Sequence, residues 1–199
     1  MDESDKRRIG EEIEPGGRPK APGRLELLQR FINSHNHDLP ADWDRLRSAQ
    51  AAQAWLRKKR LVRPRDRVTE ADAARLRELR EALRAVVMTN HGGALDPAAR
   101  HVVRRESRGA QLSVAIDEAG HTTLEPASRG VDGAIGTLLG IFHEAQLTGD
   151  WSRMKGCRQC EYVFFDRSKN RSASWCAMSI CGNRTKNRAY YRRRRSAAS

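Results

Sequence analysis

The 199 residues are 38% hydrophobic and 32% charged, enough apolar material for one ordinary domain with a small appendage. The net charge is +13, and it is unevenly placed: residues 153–199 carry 13 Lys or Arg against Glu161 and Asp166, while residues 1–152 carry 25 basic against 23 acidic groups. No apolar run approaches the length of a membrane span and no hydrophobic leader opens the chain, which predicts a soluble, cytoplasmic protein with no membrane partner.

In chain order, residues 1–23 are charged, rich in Gly and Pro, and predict a disordered tail. Leu25, Leu28, Phe31 and Ile32 recur at helical spacing, and Asn33-Ser-His-Asn-His-Asp-Leu-Pro40 breaks that helix. A second helix is expected from Trp43 to Lys59. Thr69-Glu-Ala-Asp72 has the form of a helix N-cap opening a long helix through Leu76, Leu79, Leu83, Val86 and Val87, and Gly92-Gly93 ends it. Asp96-Pro97 predicts a short helix through Val103. The period then changes: Gln111 to Ile116 alternates and His121 to Leu124 follows after a turn, as in a β-hairpin. Val131 to Leu147 returns to helix with an apolar stripe of Ile135, Leu138, Leu139 and Phe142. The fold class expected is α+β. A mostly helical N-terminal domain with a β-hairpin (24–150) is joined by a short link to a small four-cysteine zinc finger (151–199) made of a knuckle, short strands and a basic C-terminal helix.

The four cysteines all lie in this last segment, as Cys157-x-x-Cys160 and, fifteen residues on, Cys176-x-x-x-x-Cys181. Close thiol pairs in a reducing compartment predict metal ligands rather than disulfides, and four soft thiolates select Zn²⁺. With four protein ligands the ion has no open position for catalysis, so the metal is expected to hold a surface in place. Tyr162 to Phe165 reads as a strand and Asp166 to Ala173 as a polar loop. After Cys181, Asn183 is expected to cap a helix on which Arg184, Arg188, Arg192 and Arg195 share one broad face, with Lys186 and Arg193 at its flanks. No acid occurs between Arg167 and Ser199, whereas a merely solvated face carries mixed signs; the pattern predicts contact with DNA. RNA is the alternative polyanion, with Tyr162, Phe164, Tyr190 and Tyr191 as candidate stacking aromatics. A protein-interaction finger on a ligand-binding domain is a further alternative, and a redox switch that ejects zinc is another.

The stretch Phe165-Asp166…Ser168…Asn170-Arg171…Trp175-Cys176-x-Met178-x-x-Cys181-Gly182-Asn183-Arg184-x-Lys186 resembles the CGNR-type zinc finger, whose tetrad stands at 181–184. The body resembles the ABATE domain of stress-induced transcription regulators, most clearly at Leu25…Phe31-Ile32-Asn33 and Ala54-Trp55-Leu56; Asn33-Ser34 stands where relatives often have Asn-Thr. The resemblance implies Cys157, Cys160, Cys176 and Cys181 as ligands and a DNA-binding regulator. Arg184 either begins the basic face or pairs with Asp166.

The N-terminal domain is less informative. No phosphate loop, nucleophile elbow or paired-carboxylate signature is present, so the chain is not expected to be an enzyme. A small-molecule effector or a homodimer contact is expected there, with Asn33, Trp55 and His143 as candidate pocket residues. His35-x-His37 in its polar loop is expected to be solvent-exposed.

Overall fold

The computed structural model describes residues 14–116 and 118–196. Leu25–Ile32 forms α1, whose Leu28, Phe31 and Ile32 are fully buried, as their spacing requires. The helix expected from Trp43 begins later: Ala41–Trp43 is a 3₁₀ turn, and α2 spans Ala49–Lys58. Local chemistry explains the delay. Asp44 Oδ1 accepts from the Leu46 N–H at 2.8 Å, and the Asp44 carboxylate takes two bonds from the Arg80 guanidinium at 2.6 and 2.9 Å. The chain is thereby pinned in a turn until Ser48 caps α2 by accepting from the Ala51 N–H.

The long helix α3, Glu70–Met88, opens with a full capping box between Thr69 and Asp72. Helix α4, Pro97–Ala110, starts at the Asp96 cap but runs well past Val103. The extension is tertiary in origin: Glu106 is buried, and Arg75 of α3 holds its carboxylate at 2.8 Å. Strands β1, Leu112–Ile116, and β2, Thr122–Pro126, pair antiparallel with Val114 opposite Leu124. Beneath them lies α5, Gly130–Leu147. A Cβ at Gly133 would stand 2.5 Å from the Ser128 carbonyl oxygen, and one at Gly136 would stand 2.7 Å from Pro126 Cβ. Glycine at these two positions lets the segment leading from β2 lie directly on the helix.

A second antiparallel pair, β3 (Met154–Gly156) and β4 (Val163–Phe165), sets Lys155 opposite Phe164. Trp151, Met154, Val163 and Phe165 are buried in the same core as Leu28, Leu76, Leu83 and Leu138. Trp151 meets Phe142 of α5 edge to face with ring centroids 4.5 Å apart. No break in packing therefore falls at residue 150, where the sequence suggested a link.

The N-terminal segment also differs from expectation. Glu14 and Ala21 are buried, Pro15–Gly17 forms a 3₁₀ turn, and the segment lies across the cysteine-bearing end. Charge and glycine content mark a chain that cannot form its own core, but this stretch borrows one. The remainder of the expected tail, residues 1–13, lies outside the described residues. Among the described residues no helix is long and apolar enough to cross a membrane.

Candidate metal centre and basic helix

Cys157 follows β3, Cys160 closes the turn before β4, Cys176 ends the polar loop, and Cys181 lies in a π-helical turn, Met178–Gly182. All four are buried, and their Sγ atoms lie within 4.8 Å of one another. Cys160 Sγ is 3.7 Å from Cys176 Sγ, which is 3.6 Å from Cys181 Sγ. A regular tetrahedron with Zn–S bonds of ~2.3 Å has edges of ~3.8 Å, so the cluster has the dimensions of a closed four-thiolate zinc site.

The backbone holds these positions. The Cys157 N–H donates to the Tyr162 carbonyl at 2.9 Å, and the Glu161 N–H donates to the Cys157 carbonyl at 2.8 Å. Glu161 has φ 59°, a left-handed conformation costly for a residue with a Cβ. Arg84 of α3 steadies it by donating to the Glu161 carbonyl at 3.0 Å. In the thiol cluster itself, hydrogen bonds from Cys160 and then Cys176 hold the Cys157 thiol well below its ordinary pKa. The hydrogen bond shared with Cys157 pushes Cys160 and Cys176 up, while burial pushes Cys181 up. Four thiolates coexist here only with a cation among them, and that donor chemistry fits Zn²⁺. Zn²⁺ is the protein's metal.

The polar loop is organised by Asp166, fully buried, whose carboxylate accepts from the Ser168 and Ala173 N–H groups at 2.9 Å each. Burial raises its pKa, but the bonds from Ser168 and Ala173 outweigh burial and the carboxyl lies below its ordinary range. From the other side comes the N-terminal segment. Arg18 Nε donates to the Cys176 carbonyl at 2.6 Å, Arg18 Nη2 donates to the Trp175 carbonyl at 3.0 Å, and the guanidinium stacks over Phe164 at 4.5 Å. Glu14 accepts from the Tyr162 hydroxyl at 2.9 Å. Gly16, at φ +68°, passes so near the knuckle that a Cβ would stand 2.7 Å from Ala177 Cβ. Sequence reasoning missed Glu14 and Arg18 because each resembles an ordinary solvent charge.

Helix α6, Asn183–Ser196, leaves the π-helical turn without a break. Asn183 has helical dihedrals (φ −66°, ψ −40°), so it continues the helix instead of capping it. Arg184 does not pair with Asp166, which the loop N–H groups occupy; its Nη1 meets Asp38 Oδ2 at 2.9 Å. Lys186, Arg188, Arg192 and Arg193 are exposed, and the side chain of Arg195 lies outside the described residues. The aromatic set proposed for base stacking is broken up: Tyr162 and Phe164 are fully buried, Tyr190 is half exposed with Arg194 over its ring, and the Tyr191 side chain lies outside the described residues.

Asn33, Trp55 and His143 are not brought together. The side-chain amide of Asn33 accepts from the Val163 N–H at 2.9 Å and donates to the Val163 carbonyl at 2.6 Å. Trp55 is core, tilted against Phe31 with centroids 5.9 Å apart. His143 is exposed beside a separate cavity of about 280 Å³ under the first hairpin. Their role as one pocket is set aside.

Two family models match the chain: the CGNR zinc finger at residues 153–194, and ABATE, described as "Putative stress-induced transcription regulator", at residues 25–141. No curated protein matches it. The helical body that carries the knuckle, and the four cysteines that close it, thus coincide with these two segments, and the chain belongs to the ABATE family, with a CGNR zinc finger at its C-terminal end.

Proposed function

We propose that the protein is a zinc-dependent, DNA-binding transcriptional regulator and not an enzyme. In this reading Cys157, Cys160, Cys176 and Cys181 bind the ion, and α6 is offered to duplex DNA. The observation that carries the reading is the junction of metal and helix: α6 continues directly from Cys181, contains no acid, and exposes Lys186, Arg188, Arg192 and Arg193. The bound ion supplies rigidity and charge neutralisation to the knuckle. Arg184, tied to Asp38, fixes the direction in which the helix leaves the body. Arg188 reaches back to Gln159 Oε1 at only 3.5 Å, a weak bond that a phosphate oxygen outcompetes. The burial of Tyr162 and Phe164 favours DNA over RNA, because single-stranded RNA recognition relies on exposed stacking rings. The helical body would then sense an effector or dimerise.

A salt series of duplex-DNA binding by the zinc-loaded chain tests the assignment. Replacing Arg188 and Arg192 together by Ala should weaken binding to all sequences and lower the salt slope by about two, if each contacts one phosphate. An unchanged slope would remove α6 from the interface.

A further inference from the structure

The loop after α1 carries His35 and His37, and the fold brings Glu81 of α3 to them. One ring nitrogen of each histidine and a Glu81 carboxylate oxygen lie within 4.8 Å of one another. His37 Nε2 stands 3.2 Å from Glu81 Oε2. Two ligand atoms on a tetrahedral ion with bonds of ~2.1 Å are separated by ~3.4 Å, so this spacing already suits a shared metal. His35 Nε2 is buried and has no hydrogen-bond partner among the described residues, a costly state unless something binds it. Burial, the largest influence on it, also lowers the pKa of His35, which keeps its ring neutral and its lone pair available.

The surroundings complete the arrangement. His37 Nδ1 is 2.9 Å from Glu161 Oε2, the geometry by which a carboxylate fixes a histidine tautomer and leaves Nε2 free to ligate. Two guanidinium groups touch Glu81, and both have other anionic or carbonyl partners. Arg80 is bidentate on Asp44, and Arg84 donates to the carbonyls of Ile32, His35 and Glu161. Burial opposes ionisation of Glu81, but Arg84 and Arg80 outweigh it and keep the carboxylate charged. A cavity of about 320 Å³, lined by His35, Asn36, Asp42 and Trp43 among others, adjoins the His35 side of the cluster.

We propose that His35, His37 and Glu81 form a second metal site for a divalent transition ion of the zinc class, with Glu161 orienting His37 from the zinc knuckle. Two imidazoles and one carboxylate with a position left for water are a donor set such ions accept. The site joins the loop after α1, α3 and the residue next to Cys160, so its occupancy ties the helical body to the knuckle. It stands whether or not α6 grips DNA.

The test uses the full chain carrying one equivalent of Zn²⁺, titrated with Co²⁺. A further equivalent of Co²⁺ should bind with ligand-field bands but without thiolate-to-cobalt charge transfer. His37→Gln and His35→Gln should abolish it while the zinc equivalent remains, which shows the variants are folded, and Glu161→Gln should weaken it at least about tenfold. Absence of a further equivalent in the parent chain overturns the proposal. So does an equivalent bound with unchanged affinity by the double His35→Gln, His37→Gln variant.

Discussion

The buried charges are the residues that most constrain this fold. Asp44 and Arg80 are both buried and face each other through two hydrogen bonds, with Ser34 Oγ adding a third to the guanidinium at 3.3 Å. Asp44→Asn would take away the carboxylate that meets the buried Arg80 through two hydrogen bonds, leaving it Glu81 Oε1 at 2.7 Å, on a carboxylate that Arg84 also holds. A loss of about 3 kcal/mol is expected in denaturant titrations. Burial raises the Asp44 pKa, but the hydrogen bond and charge of Arg80 outweigh it, leaving the carboxyl below its ordinary range. A depressed acid stabilises the fold above its unfolded value and loses that contribution as pH falls through the native one. The gap in stability between parent and Asp44→Asn should therefore close as pH drops below the ordinary carboxylate range; a gap of constant size would contradict the pairing. None of this was legible in the sequence, because Arg80 and Arg84 lie on the helix beside Leu76, Leu79 and Leu83 and carry no local sign that they are buried.

At the scale of elements, legibility follows the range of the interactions. Helix α3 was placed well because Thr69 and Asp72, three residues apart, determine its start. The first hairpin and α5 announced themselves by period. The start of α2 was misplaced because Asp44 answers to Arg80, thirty-six positions away. The strap from Glu14 to Gly23 was invisible for the same reason on a larger scale, since Arg18 finds its acceptor at Cys176, 158 positions on. Arg18→Ala removes two hydrogen bonds and a ring contact from the knuckle, together about 2 kcal/mol. Chelator-driven zinc release should then be roughly tenfold faster or more. Release at the parental rate would make the strap incidental to the metal centre.

For the whole molecule, the important fact is that the two family segments share a core. Besides the buried Trp151, Met154, Val163 and Phe165, the 3₁₀ turn that follows α3, Thr89–His91, is bonded to the second hairpin and the turn before it. Asn90 donates to the Trp151 and Met154 carbonyls at 2.8 and 2.9 Å, and His91 Nε2 meets the Gly156 carbonyl at 2.7 Å. The four-cysteine cluster and its metal were legible because thiol spacing is local; the union of metal module and helical body was not, because every bond that makes it is long-range. Stripping zinc should accordingly lower the melting temperature of the entire chain in a single calorimetric transition. Two resolved transitions, with only one moved by chelation, would indicate independent units.

The Asn33 side chain meets Val163 as a neighbouring strand would, with its amide oxygen and nitrogen answering both main-chain polar groups, and Gln29 adds a bond to the same carbonyl at 3.2 Å. Among the described residues strand β4 has a single strand partner, so its open side would otherwise present an unsatisfied rim. The helical body thus shields the finger from sticking to other chains. A finger cut free of α1 would gain an adhesive flank, so solubility as well as metal affinity binds the two segments into one protein.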